Sequence, residues 1–181
     1  MARSRSAAAI EDLRALVRPF GGDVFCHAPV GVPFDLAALD RPDDPCDRWG
    51  APGTRTAYLA ADPFVAVAEY ARHGDPTCRR DGRRLMRLTL SPLPAIDVRD
   101  AAVRSLLGLD SPESFADGRT ARAAATAIRD TRVCAALLVP SVAFVDQLER
   151  HNVLVFCEAV DGGLGAVLSN PTEIGLVTID R

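Results

Sequence analysis

Residues 56–60 form a short apolar run of strand length, and Asp62-Pro63 closes it. Aspartate followed by proline is a helix-start pair. The carboxylate caps the first turn, and proline suits the first helical position because an N–H there has no intrahelical acceptor. The helix so begun is rich in alanine and valine and carries Val65, Ala68, Glu69 and Arg72. A strand–turn–helix hairpin of this length can fold Glu69 back beside Tyr58. Just upstream, Arg48 and Trp49 lead into a turn at Pro52-Gly53. One short stretch, Asp47 to His73, therefore gathers an arginine, a tyrosine and a glutamate.

The rest of the chain supplies strands and helices in irregular alternation. Apolar positions Ile10, Leu13, Leu16 and Val17 predict an N-terminal helix at about residues 7–18, ended by Gly21-Gly22. Asp23–Ala28, Arg84–Leu90, Ala95–Val98, Val133–Val139, Asn152–Phe156 and Ile174–Ile179 read as strands. Asp100–Leu107 and Arg119–Arg129 read as helices. Pro29 to Asp47, with four prolines and several aspartates, reads as a long irregular loop, and His73 to Arg83 as a polar one. The connections are too irregular for a doubly wound sheet. The expected class is α+β, a curved, mostly antiparallel core with peripheral helices, in one domain spanning 1–181.

Composition narrows the function. A net charge of −3 lacks the basic field that non-specific nucleic-acid binding needs, so direct nucleic-acid binding is not expected. No apolar run nears the roughly 20 residues of a membrane span. Glu11, Asp12 and Arg14 interrupt the apolar N-terminal stretch, which fits an amphipathic helix rather than a signal peptide. The five cysteines are scattered, odd in number and without a C-x-x-C pair, as expected of thiols in a reducing cytoplasm. All 21 basic residues are arginine, so any cation touching phosphate is Arg or His.

Neither G-x-S-x-G, H-E-x-x-H, a P-loop nor G-x-G-x-x-G occurs. Gly162-Gly163-Leu164-Gly165 is only a turn, and the three histidines lack metal-ligand spacing, so no metal is expected. Arg48, Tyr58 and Glu69 are what a site needs to hold an anionic nucleotide and handle a developing sugar cation. Each also has a plainer account. Glu69 could form an i, i+3 ion pair with Arg72, Arg48 could stack on Trp49, and Tyr58 could be core. Against the first stands the apolar setting of Glu69 among Ala66, Val67 and Ala68. Arg48 or Arg41 would grip a pyrophosphate in bidentate fashion. Ser141, at the mouth of a core strand, could cap its turn or bond a ribose hydroxyl or carboxamide.

Two blocks in order resemble the RES-domain family, toxins of bacterial toxin–antitoxin pairs. The first is Arg48-Trp49, then Gly53, Tyr58, Ala60, Ala66 and Glu69; the second is Val139-Pro140-Ser141 with Asn152 and Phe156. The likeness covers roughly residues 20–179. Gly50 stands where the family has asparagine after R-W. Cys26-His27 and Asp44 stand where it often has arginine.

The resemblance implies an ADP-ribosyltransferase-like fold and cleavage of NAD, with NAD as substrate and no cofactor. Water or phosphate would be the acceptor, as in an NAD glycohydrolase or phosphorylase that arrests growth by depleting NAD. It makes Glu69 the catalytic carboxylate, Tyr58 a nicotinamide-side contact and Ser141 the family serine. Thr120 is the serine's counterpart in another alignment. It implies a helix-turn-helix, Xre-like antitoxin as partner. Two other readings remain: an ADP-ribosyltransferase acting on a protein or nucleotide, and a non-catalytic nucleotide-binding or partner-binding module.

Overall fold

A computed structural model describes residues 11–44, 47–73 and 82–177 of the 181-residue chain. Six strands carry the fold: β1 (Arg18–Pro29), β2 (Thr56–Ala60), β3 (Arg83–Asp97), β4 (Ala136–Pro140), β5 (His151–Phe156) and β6 (Leu168–Val177). The pairings close into a ring. β1 pairs with β3 along most of its length and meets β2 at Phe25–Ala60; β2 pairs with β5, β5 with β4, and β4 with β3. Only β3–β4 is parallel; every other pair is antiparallel. β6 adds to β3 along residues 83–90. The class is α+β, and the curvature expected of the sheet goes as far as closing it.

Period-two alternation sorts each strand between inside and outside. Val24, Cys26, Ala28, Ala57, Leu59, Met86, Leu88, Leu90, Leu138, Val153 and Val155 fill the ring's interior. The opposite faces of β3, β4 and β5 present Ile96, Leu137, Val139, Leu154 and Phe156 to a second core. Helices α3 (Ala101–Leu107), α4 (Pro112–Ala116) and α5 (Gly118–Thr131) cover that face, with Val103, Phe115, Ala121, Ala124, Ala125 and Ile128 buried. Helix α2 (Pro63–His73) lays Val65, Ala66 and Tyr70 against Ala60, Leu85 and Val177.

The strand–turn–helix at residues 56–73 has its expected bounds. Asp62 accepts the Val65 amide at 3.0 Å, with Pro63 at the first helical position. Three other expectations need correction, and one helix was not expected. The N-terminal helix is seen over residues 11–15 (α1) and gives way to strand at Arg18; residues 7–10 lie outside the described part. Gly21-Gly22 does not end a helix. It lies within β1 at a bulge, where Gly22 takes φ 124° and a β-carbon on Gly21 would sit 2.8 Å from the Leu90 carbonyl oxygen. The expected strands at 84–90 and 95–98 are one strand, because β1 pairs with it on both sides of Pro92. The short helix α4 was not anticipated, although Ser111 and Pro112 give it a capping box and a proline start.

Cys26, Cys134 and Cys157 are buried free thiols. Cys46, Cys78 and Ile179 lie outside the described residues, as does most of the loop expected at 73–83. Among the described residues there is no helix long and apolar enough to cross a membrane, and no group of side chains that could hold a metal ion.

Candidate active site

Strand register brings three chain segments to one place. Asn152, in β5, is paired with Ala60 of β2 on one side and Val139 of β4 on the other. The end of β2 leads through Asp62 into α2, and the end of β4 leads into Ser141. Residues remote in sequence therefore converge beside the first turns of α2.

Glu69 is the centre of this convergence. Its Oε1 accepts the Ser141 hydroxyl at 2.6 Å and the Asn152 side-chain amide at 3.0 Å. Ser141 is fully buried and also accepts the Ala143 amide at 3.2 Å, capping a 3-10 turn over Val142–Phe144. The turn-cap account of Ser141 holds, and the same hydroxyl donates to the Glu69 carboxylate, a contact the sequence did not suggest. Arg72 donates to the Val142 carbonyl at 2.9 Å, which fastens α2 to that same turn.

Arg48 is half-buried, and its guanidinium donates to the Ala116 carbonyl at the end of α4. Burial, and then the nearby Arg72 charge, lower its proton affinity; Glu69, Asp117 and Tyr58 oppose the shift. The half-buried Arg48 thus feels both the exposed Arg72 guanidinium and the half-buried Glu69 carboxylate.

Tyr58 borders it. Its hydroxyl is buried, has no hydrogen bond of normal geometry, and faces the Trp49 and Gly50 amides. Burial, followed by the charges of Asp47 and Asp43, pushes its pKa well above the usual phenol value. The phenol is therefore neutral at any physiological pH and suited to packing or hydrogen bonding.

The remaining expected site residues lie elsewhere. Arg41 holds both carboxylate oxygens of Asp47, at 2.9 and 3.0 Å. Thr120 gives its hydroxyl and its amide to Asp117, the cap of α5, at 2.6 and 2.9 Å. Cys26 points into the ring interior. The His27 ring packs against Tyr70 of α2 with centroids 4.6 Å apart, and burial, helped by Arg83, lowers its pKa to about 4.

Asn152, noted only as a motif member, and Arg72, noted only as an ion-pair partner of Glu69, were not among the expected site residues. The signal for Asn152 was present: it is a lone amide at the start of an otherwise apolar strand. A cleft of about 330 Å³ lies apart from this cluster, bordered by Phe20, Asp97, Arg99, Val103 and Leu138.

Residues 13–173 match the family described as RES domain. The chain is also similar to a chain in the crystal structure of the M. tuberculosis MbcT–MbcA toxin–antitoxin complex. The TM-score is 0.67 at 15% identity, over 92% of this chain and 91% of that one. At that identity the likeness is one of fold. No curated protein matches the sequence.

Proposed function

This chain belongs to the RES-domain family, and we propose that it is a toxin that cleaves the nicotinamide–ribose bond of NAD. The observation that carries the reading is the Glu69 carboxylate, held on one oxygen by Ser141 and Asn152 with cationic Arg48 and Arg72 nearby. The bond between ribose C1′ and the pyridinium nitrogen breaks, and its electron pair leaves with neutral nicotinamide. Positive charge then develops on the ribose. An ionised carboxylate fixed in a partly dry site stabilises that charge without having to reorganise. Water or phosphate then bonds C1′. With water the products are nicotinamide, ADP-ribose and one proton.

In this reading Arg48 and Arg72 receive the pyrophosphate, whose charge relieves the repulsion between them. Arg41, engaged with Asp47, is the weaker candidate for that role. Tyr58 supplies a neutral aromatic wall for nicotinamide. A helix-turn-helix, Xre-like antitoxin is the proposed partner. The MbcT–MbcA neighbour is described as a toxin–antitoxin complex, and that description supports an antitoxin partner without specifying its fold.

The test is NAD loss in vitro and growth on expression without a partner, for wild type and Glu69→Gln. Wild type should consume NAD and arrest growth. Glu69→Gln should fold normally and lose on the order of a hundredfold or more in rate. Equal NAD consumption by the two proteins overturns the assignment of Glu69. With labelled NAD, label in free ADP-ribose supports hydrolysis, and label on a macromolecule indicates transfer instead.

A further inference from the structure

Asp43 is 5% exposed and lies directly behind the turn that carries Arg48. A β-carbon on Gly50 would fall 2.3 Å from its Cγ and 2.6 Å from each carboxylate oxygen. The carboxylate therefore fills the space that a side chain at position 50 would take, and only glycine leaves room for it. Asp43 Oδ2 accepts the hydroxyls of Thr54 and Thr56, the latter at 2.8 Å. The Asp43 amide donates to the Thr54 carbonyl at 2.8 Å. Arg129 of α5 reaches to 3.8 Å from Oδ2 and donates to the Thr56 hydroxyl at 2.6 Å.

One carboxylate thus links β2, α5 and Thr54 at the end of the turn, and lies against Gly50 within it. Its other oxygen, Oδ1, is buried without a hydrogen-bond partner. Burying a charge with one oxygen unsatisfied is unfavourable, and packing alone does not call for it.

We propose that Asp43 is a positioning residue, buttressing the Arg48–Trp49–Gly50 turn so that Arg48 and the wall around Tyr58 meet the dinucleotide in fixed geometry. The inference rests on NAD as the substrate. Asp43 itself touches no reacting atom and acts through Arg48.

Trp49 is the chain's single tryptophan and sits in this turn, 4% exposed, so its emission reports the turn directly. The experiment measures Trp49 emission, urea unfolding, and kcat and KM for NAD. The proteins are wild type, Asp43→Asn, Asp43→Ala, Gly50→Ala, Arg48→Ala and the Asp43→Ala/Arg48→Ala double variant. Asp43→Ala should remain folded, red-shift Trp49 and raise KM about tenfold or more with a smaller change in kcat. Gly50→Ala, which displaces the carboxylate, should do the same. Asp43→Asn, which keeps the shape, should stay within about threefold of wild type. In the Arg48→Ala background, loss of Asp43 should add less than about twofold.

An unchanged KM and emission in folded Asp43→Ala overturns the proposal. So does an equal effect with and without Arg48. If Asp43→Ala does not fold, Gly50→Ala decides by the same two readouts. If wild type consumes no NAD, the substrate reading fails. Trp49 emission then decides whether Asp43 holds the turn, and an unshifted spectrum overturns that as well.

Discussion

Among single residues, Glu69 is defined by what holds it. An oxygen that accepts a hydroxyl at 2.6 Å and an amide at 3.0 Å has its direction fixed before any substrate arrives. Hydrogen bonds to a charged group contribute about 1.5–3 kcal/mol, or roughly tenfold to a hundredfold in rate when the group acts in the transition state. Ser141→Ala and Asn152→Ala should therefore each lower kcat for NAD loss within that range and leave KM nearly unchanged. The double variant should lose less than the product of the two, because both act on one oxygen. Steady-state kinetics on the four proteins checks this. Losses in KM alone would place both residues in substrate binding instead. Ser141 and Glu69 were visible as motif members. Their mutual contact was not, since 72 residues separate them.

At the level of elements, the strand–turn–helix at 56–73 was readable because its signals are local: an apolar run, a capping aspartate and a proline. β1 was readable only over Asp23–Ala28, and its start at Arg18 was not, because that part of its course depends on β3. Gly21-Gly22 resembles a helix stop, yet its glycines serve a bulge pressed onto the neighbouring strand. The expected consequence is specific. Gly21→Ala forces a methyl group toward the Leu90 carbonyl and the Pro92 nitrogen, at 2.8 and 2.9 Å. It should cost about 1–3 kcal/mol, seen as a lower urea midpoint. A midpoint equal to wild type would mean that the bulge shifts freely.

Across the whole fold, packing of α2 on the outside of the ring puts a titratable group where water is scarce. His27 lies outside the ring, wedged against Tyr70 of α2, and burial and Arg83 bring its pKa from 6.5 to about 4. The folded state resists the proton that the unfolded chain accepts below about pH 6.5, so stability falls as pH drops from 6.5 to 4. The loss attributable to His27 is about 3 kcal/mol, because each pH unit between those two values contributes about 1.4 kcal/mol. Urea unfolding at about pH 7, 5.5 and 4.5 should show the decline, and His27→Gln should flatten it. An equally steep decline in the variant would assign the sensitivity to other groups.

The α+β class, the 56–73 hairpin, the helices capped by Asp100 and Asp117, and the two motif blocks are all legible in the chain before it folds. Each rests on periodicity or on residues within a few positions of one another. Folding in three dimensions is what closes the sheet, brings Asn152 beside Ser141 on Glu69, engages Arg41 with Asp47 and sets Asp43 in the space over Gly50. Those outcomes depend on strand register and on which distant side chains share a volume, and neither leaves a trace in local spacing.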